Sequence, residues 1–272
     1  MINKTRKKHG CWMPRISSTA LLLALCCLTS GWLSMAHSQR LSLRTSKNGQ
    51  FKYEVFGEDD PGRPALILLH GVSGPALPLY QQQAQFFAEH GYTVLLPHYF
   101  EVSKSDASKS PTPTGANYEA WANVVRDLAM ESTHREVVVL GFSLGASVAL
   151  AAGSQLLPVK AIAEWYGSLP DEFFYHLKGM PPLLILHGEH DSNVPVINAQ
   201  QLIRLCGMKQ LTCDSYIYPD QEHGFKGDAL IDADARTLAF FSRFVSSKGD
   251  PTRGSHVRLG ISAPHPALKA EN

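Results

Sequence analysis

The sequence predicts an α/β fold, with a mostly parallel sheet of eight strands and helices on both of its faces. Short apolar runs such as residues 137–140 suit strands that are buried on both sides, as the strands of a parallel sheet are. Segments with helical periodicity alternate with such runs from residue 65 onward. Because a strand, helix, strand order produces right-handed crossovers, most strands are expected to run parallel.

The composition is that of an ordinary globular domain and gives no indication of a nucleic-acid partner. Of the 272 residues, 44% are hydrophobic and 18% are charged, and the formal net charge is +1. Residues 1–36 hold five of the 25 basic residues and none of the 24 acidic ones, so the chain without them has a net charge of −4.

The first 36 residues predict a signal peptide. Basic residues come first, an apolar stretch covers residues 16–28, and Ser34-Met35-Ala36 offers the small residues that a signal peptidase prefers. We therefore expect a mature chain that begins near His37 and is periplasmic or secreted, with no stable membrane span. The alternative is an uncleaved membrane anchor, because residues 29–33 extend the apolar stretch towards the length that crosses a bilayer.

A single domain, residues 37–246, is expected to follow, and it begins with a hairpin. Residues 40–45 and 51–56 alternate apolar and polar around an Asn-Gly turn, which predicts two antiparallel strands. The other predicted strands are residues 65–69, 93–96, 137–140, 161–165, 183–186 and 215–218. The predicted helices are residues 79–90, 117–131, 146–152, 196–205 and 229–245. Loops are predicted at residues 101–115 and 171–177, and a disordered tail at residues 247–272.

Residues 141–145, Gly-Phe-Ser-Leu-Gly, join a predicted strand directly to an alanine-rich predicted helix. Strand, G-x-S-x-G and helix is the context of a nucleophile elbow, a tight turn that exposes a serine at the C-terminal end of the strand. Glycines at 141 and 145 are expected to avoid a collision between side chains on either side of the serine. Ser143 is therefore the candidate nucleophile, with a chance turn as the alternative.

A serine hydroxyl needs a base to take its proton and an acid to orient that base. Asp191 follows the predicted strand 183–186 and His223 follows the strand 215–218, so both are expected at the sheet edge that carries Ser143. The alternative for Asp191 is a helix N-cap, with Glu189 as the substitute acid. The alternative for His223 is a surface-loop histidine without a catalytic role.

Two backbone N–H groups are expected to stabilise a negatively charged oxygen beside Ser143. One belongs to Leu144 and the other to Val72, in the turn after the strand 65–69. No metal is expected, because the histidines near this edge have no compact ligand spacing. We interpret two of them, His70 and His187, as residues that anchor loops.

Two cysteines, Cys206 and Cys213, lie outside the predicted signal peptide. In an oxidising compartment they are placed to bridge a helix end to the next strand, which predicts a disulfide. Two free buried thiols are the alternative.

With these segments the sequence resembles the dienelactone hydrolase family of α/β-hydrolases over about residues 50–245. The segments that carry the resemblance are residues 69–71, 94–100, 141–145, 165–167, 186–191 and 223–225. The resemblance implies the α/β-hydrolase fold and hydrolysis of an ester, lactone or similar acyl bond in a small molecule, without a cofactor. The dienelactone hydrolases that name the family use a cysteine nucleophile, whereas this sequence has Ser143.

Together these features predict a carboxylesterase-like serine hydrolase that forms an acyl-enzyme on Ser143, with His223 as base and Asp191 as acid. The aromatic residues expected to border its pocket, each with a core position as the alternative, are Tyr99, Phe100, Trp165, Tyr166 and Phe225. Two other functions remain open. One is a serine peptidase on the same fold, and the other is a secreted binding module that has lost activity.

Overall fold

The computed structural model describes residues 42–103, 111–132, 135–155, 157–174, 177 and 179–246. These residues belong to one compact unit. The predicted signal peptide and the predicted tail lie outside the described residues, as do residues 104–110 of the first predicted loop. No helix in the described part of the chain is long and apolar enough to cross a bilayer.

The predicted α/β fold is confirmed, with all eight predicted strands in one sheet. The strands are β1 (Ser42–Thr45), β2 (Lys52–Phe56), β3 (Ala65–Leu69), β4 (Thr93–Pro97), β5 (Val137–Phe142), β6 (Ala161–Trp165), β7 (Leu183–Gly188) and β8 (Cys213–Tyr218). The helices are α1 (Pro78–Glu89), α2 (Gly115–Glu131), α3 (Leu144–Gly153), α4 (Asp171–Phe174), α5 (Ile197–Lys209) and α6 (Asp228–Phe241). One 3₁₀ turn, Tyr99–Val102, follows β4.

The strand order across the sheet is β1-β2-β4-β3-β5-β6-β7-β8. The hairpin strands β1 and β2 pair antiparallel, as does β2 with β4, and every later pair is parallel. The C-terminal ends of β5, β6, β7 and β8 therefore meet at one edge of the sheet, and the loops that leave these ends are neighbours in space.

The sheet is buried on both faces, which explains the uninterrupted apolar runs in the sequence. Every residue of β3, β4, β5, β6 and β7 is buried. Side chains of α2, α3 and α5, such as Trp121, Val148 and Leu202, form the core on one face. Phe87 of α1 and Phe240 of α6 belong to the core on the other face.

Three local predictions were wrong, the first being the helix predicted to end at residue 205, which continues to Lys209. The last helix ends at Phe241 rather than at residue 245, although Val245 still packs in the core. Apolar periodicity therefore continues past the end of the helix. Residues 171–174, predicted as a loop, form the one-turn helix α4, whose Phe173 is buried. A single turn is too short for a 3.6-residue period to become visible in the sequence.

The structure joins Cys206, in α5, to Cys213, the first residue of β8, in a disulfide. We expect the Cys206→Ser, Cys213→Ser double variant to lose on the order of 2–3 kcal/mol of unfolding free energy, because the bridge closes a short loop in the unfolded chain. Denaturant unfolding of both proteins measures the difference. Alkylation of both thiols in denaturant, without a reductant, would show that the protein has no bridge.

Candidate functional site

Ser143 alone makes the turn between β5, which ends at Phe142, and α3, which begins at Leu144. Its backbone has φ 54° and ψ −119°, a conformation that residues other than glycine rarely adopt. The Ser143 N–H donates to Trp165 O at 3.0 Å, and Ser143 O accepts from Ala146 N–H at 2.9 Å. Bonds to β6 and to α3 therefore hold the strained turn from both sides.

The sequence analysis expected the two glycines of the pentapeptide to avoid a collision between side chains. In the structure they instead allow close contacts with backbone atoms. A Cβ atom at Gly141 would lie 2.4 Å from Gly145 O, and a Cβ atom at Gly145 would lie 2.2 Å from Leu69 O. Since no real Cβ atom approaches so closely, larger residues would push α3 away from β5 and from the end of β3. The glycines thus set how closely the helix behind Ser143 docks.

The structure brings Ser143, His223 and Asp191 together in one hydrogen-bonded series. Ser143 Oγ lies 2.8 Å from His223 Nε2, and His223 Nδ1 lies 2.8 Å from Asp191 Oδ2. Because a carboxylate oxygen only accepts, Nδ1 carries the hydrogen and Nε2 is left to accept the serine proton. An imidazole held in this way is able to remove a proton from the hydroxyl.

Asp191 rather than Glu189 faces the histidine. The Asp191 side chain is fully buried, and its Oδ1 accepts the N–H groups of Asn193 and Val194 at 2.9 and 2.8 Å. Glu189 is exposed. The alternative role of Asp191 as the cap of the next helix is wrong, because α5 begins at Ile197 with Val196 as its N-cap.

His187 also contacts Asp191, and the sequence analysis did not predict this contact. Its Nε2–H donates to Val194 O at 2.8 Å, and the same nitrogen lies 3.4 Å from Asp191 Oδ2. Burial lowers the pKa of His187, so the ring is held in its neutral form. The ring thus fixes the turn that carries Asp191, in agreement with the loop-anchoring interpretation.

His70 anchors the turn on the opposite side of Ser143. Its Nδ1–H donates to Gly71 O at 2.7 Å, and its ring stacks on Tyr99 at 4.3 Å. The Tyr99 hydroxyl donates to His70 O at 2.7 Å. Burial lowers the pKa of His70 to about 4, so this ring is also neutral.

The backbone groups predicted to stabilise an oxyanion lie on elements next to Ser143. Leu144 is the first residue of α3, where backbone N–H groups have no acceptor within the helix. A Cβ atom at Gly71 would lie 3.3 Å from Ser143 Cβ, so the turn that continues to Val72 runs beside the serine. Val72 is 53% exposed, so the residue is not packed in the core.

The aromatic residues predicted to border a pocket divide into two groups. Tyr99 and Trp165 are fully buried, and the Trp165 Nε1–H donates to Thr237 Oγ1 at 3.0 Å. These two residues are part of the core, which is the alternative that the sequence analysis left open for them.

Of the remaining three aromatic residues, Tyr166 and Phe225 are also buried, at 4% and 6% exposure. The Tyr166 ring packs edge-on against His223 at 4.9 Å and against Phe225 at 5.0 Å. Phe100 is only partly buried and meets the His70 ring edge-on at 4.8 Å. Among the residues that the structure describes, no group of three or more His, Cys, Asp or Glu side chains is arranged to hold a metal ion.

Comparison with known proteins agrees with the fold and with the resemblance noted in the sequence. A curated relative, the carboxymethylenebutenolidase homolog of Mus musculus, is 24% identical over 183 residues, or 61% of this chain and 71% of that protein. A Klebsiella pneumoniae structure, named as a candidate dienelactone hydrolase, has a TM-score of 0.63 at 18% identity, over 76% of this chain and 100% of its own.

An esterase structure from Thermogutta terrifontis has a TM-score of 0.59 at 15% identity, over 79% of this chain and 96% of its own. At these identities the structural likenesses bear on the fold alone. The sequence match reaches further, because a model of the dienelactone hydrolase family matches residues 51–243, well over half of the chain. The chain therefore belongs to the dienelactone hydrolase family.

Proposed function

We propose that this chain is an exported serine hydrolase that cleaves ester or lactone bonds of small molecules through an acyl-enzyme on Ser143. The observation that carries the proposal is the hydrogen-bonded series from Ser143 Oγ through His223 to Asp191, with both distances at 2.8 Å. Membership of the dienelactone hydrolase family supports the hydrolytic reaction.

In the proposed reaction Ser143 Oγ attacks the carbonyl carbon while His223 Nε2 takes the hydroxyl proton. The backbone N–H groups of Leu144 and Val72 would stabilise the oxyanion that forms. The carbon–oxygen bond to the leaving alcohol then breaks as His223 returns the proton to that oxygen. A water molecule, deprotonated by His223, attacks the acyl-enzyme in the second half and releases the acid and free Ser143.

A serine in place of the family's cysteine makes the base indispensable to this mechanism. A hydroxyl is a weak nucleophile until its proton is removed, whereas a thiol is already partly ionised near neutral pH. The short contact between Ser143 Oγ and His223 Nε2 supplies this base directly. The strained backbone of Ser143, held by bonds from both sides, keeps the hydroxyl aimed at the imidazole.

A fluorophosphonate probe, followed by a panel of esters, lactones and peptides, tests the proposal. We expect the probe to label the wild-type protein at Ser143 and to leave the Ser143→Ala variant unlabelled, and we expect turnover of esters or lactones. Cleavage of peptides alone would favour a serine peptidase. A protein that neither labels nor turns over any substrate would be a binding module, and the proposal would be wrong.

Export is part of the proposal and is supported by the basic, apolar and small-residue order of residues 1–36. The Cys206–Cys213 disulfide adds support, because such bonds persist in oxidising compartments. We expect N-terminal sequencing of the protein from its native host to give a start near His37. A start at Met1 in the membrane fraction would identify an anchored protein instead.

A further inference from the structure

A buried carboxyl group, that of Glu164, lies beside the elbow and has no part in the proposed reaction. Glu164 is the one charged residue of β6, Ala-Ile-Ala-Glu-Trp, and it is fully buried. In the sheet it stands between Gly141 of β5 and Ile185 of β7. The elbow strand thus passes directly beside an acidic side chain that no solvent reaches.

The carboxyl is tied to the turn that follows its own strand. Its Oε2 accepts the Gly167 N–H at 2.8 Å. A Cβ atom at Gly167 would lie 2.5 Å from Ala146 Cβ and 3.1 Å from this same oxygen, so the turn is packed between the carboxyl and α3. The other oxygen, Oε1, is buried and has no hydrogen-bond partner among the described residues.

The turn over residues 165–168, here called the β6 turn, contacts both the proposed nucleophile and the proposed base. Trp165 O accepts the N–H of Ser143 at 3.0 Å. Tyr166, at φ 48°, places its ring 4.9 Å from that of His223. A displacement of the β6 turn would therefore move the two groups whose distance decides proton transfer.

We propose that Glu164 is a positioning residue, which holds the β6 turn, and through it Ser143 and His223, in working geometry only while its carboxyl is neutral. This role rests on the proposed hydrolase function, and it implies that activity falls when Glu164 ionises at alkaline pH. A neutral carboxyl satisfies the Gly167 N–H through its carbonyl oxygen. An ionised one would hold a full charge with a single N–H donor, which is costly in a buried site.

In the part of the chain that the structure describes, the strands and the helix packed against Glu164 carry no charge that could stabilise its ionised form. The strands on either side, β5 and β7, and the helix above it, α3, contain one titratable side chain, His187, and burial keeps that ring neutral. Burial raises the pKa of Glu164 to about 8. Ionisation above that pH is expected to draw the carboxyl out of its packing and to release the β6 turn.

The pH profile of kcat/KM on a soluble ester tests this role. We expect kcat/KM of the wild type to fall above about pH 8. Glu164→Gln keeps an acceptor for the Gly167 N–H but cannot ionise, so this alkaline fall should move to higher pH by about one unit or more. Glu164→Leu, which lacks the acceptor, should lower kcat on the order of tenfold or more with a smaller change in KM. Asp234→Asn removes another buried carboxyl, on α6, and should leave the alkaline limb in place.

Thermal unfolding between pH 5 and pH 8 gives a readout that does not depend on activity. Because the folded pKa lies above the ordinary value of 4.5, the unfolded chain releases this proton first, and stability falls as the pH rises through that window. The melting temperature of the wild type should therefore fall by several degrees relative to that of Glu164→Gln. Asp234, whose burial raises its pKa to about 6, acts in the same direction in both proteins and cancels in this difference.

The outcomes separate this role from the proposed function. An alkaline limb that is identical in wild type and Glu164→Gln, in a protein that Ser143→Ala inactivates, would overturn the role of Glu164 alone. If the melting temperatures of the two proteins changed with pH in the same way, Glu164 would already be ionised across this range, and its proposed role would be overturned as well. Turnover that survives Ser143→Ala would instead remove the hydrolase mechanism, while the melting comparison would still report on Glu164.

Discussion

Ser143→Ala is expected to lower kcat on an ester substrate by a factor on the order of 10⁴ or more, with the fold intact. The reason is that Oγ is the only atom the variant lacks, and this atom forms the acyl bond. The backbone bonds of the turn, to Trp165 O and from Ala146 N–H, do not involve it. Steady-state kinetics give the loss, and circular dichroism melting shows whether the fold survives.

His223→Ala should cost about as much, because the hydroxyl then has no group to take its proton. The double variant should lose little more than either single one, since a series with one member missing has already lost the concerted proton transfer. Ser154→Ala is the matched control, because its hydroxyl donates to Ala151 O at the far end of α3 and its loss should leave kcat near wild type. Full turnover by Ser143→Ala would rule out the nucleophile, and the acyl-enzyme mechanism with it.

The sequence was sufficient to predict the arrangement around Ser143 because each part has a local pattern. An apolar run followed by Gly-Phe-Ser-Leu-Gly determines the elbow without reference to the rest of the chain. Asp191 and His223 follow β7 and β8, and in a parallel sheet the ends of successive strands meet at one edge. Their placement at one edge follows from strand order and direction, and the structure adds the 2.8 Å contact between them.

Contacts that depend on distance in three dimensions were not predictable in this way. The position of β4 between β2 and β3 leaves no trace in the order of elements along the chain. The burial of Tyr99 and Trp165 depends on side-chain direction at the ends of strands, which an apolar pattern does not resolve. Glu164 did leave a signal, because an acidic residue inside a strand buried on both faces has no solvent to face.

The choice of acid can be tested by a single-atom change that leaves the surrounding turn in place. Asp191→Asn is expected to lower kcat by a factor on the order of 10³ to 10⁴, somewhat less than Ser143→Ala. Its amide oxygen can still accept the N–H groups of Asn193 and Val194, as Oδ1 does in the wild type. The amide NH₂ must then face His223 Nδ1. It donates a hydrogen bond to that nitrogen, whereas the wild-type carboxylate oxygen accepts one from it.

This reversal of donor and acceptor places the imidazole hydrogen on Nε2, so that the ring no longer accepts the Ser143 proton and turnover falls although the packing is kept. Glu189→Gln is the matched control, an acid-to-amide change two residues away in the same loop, on a side chain that is exposed. It should leave kcat near wild type, and both variants should melt close to the wild-type temperature. If Glu189→Gln abolished turnover while Asp191→Asn retained it, Glu189 would be the acid, and the buried position of Asp191 would serve only to shape the turn.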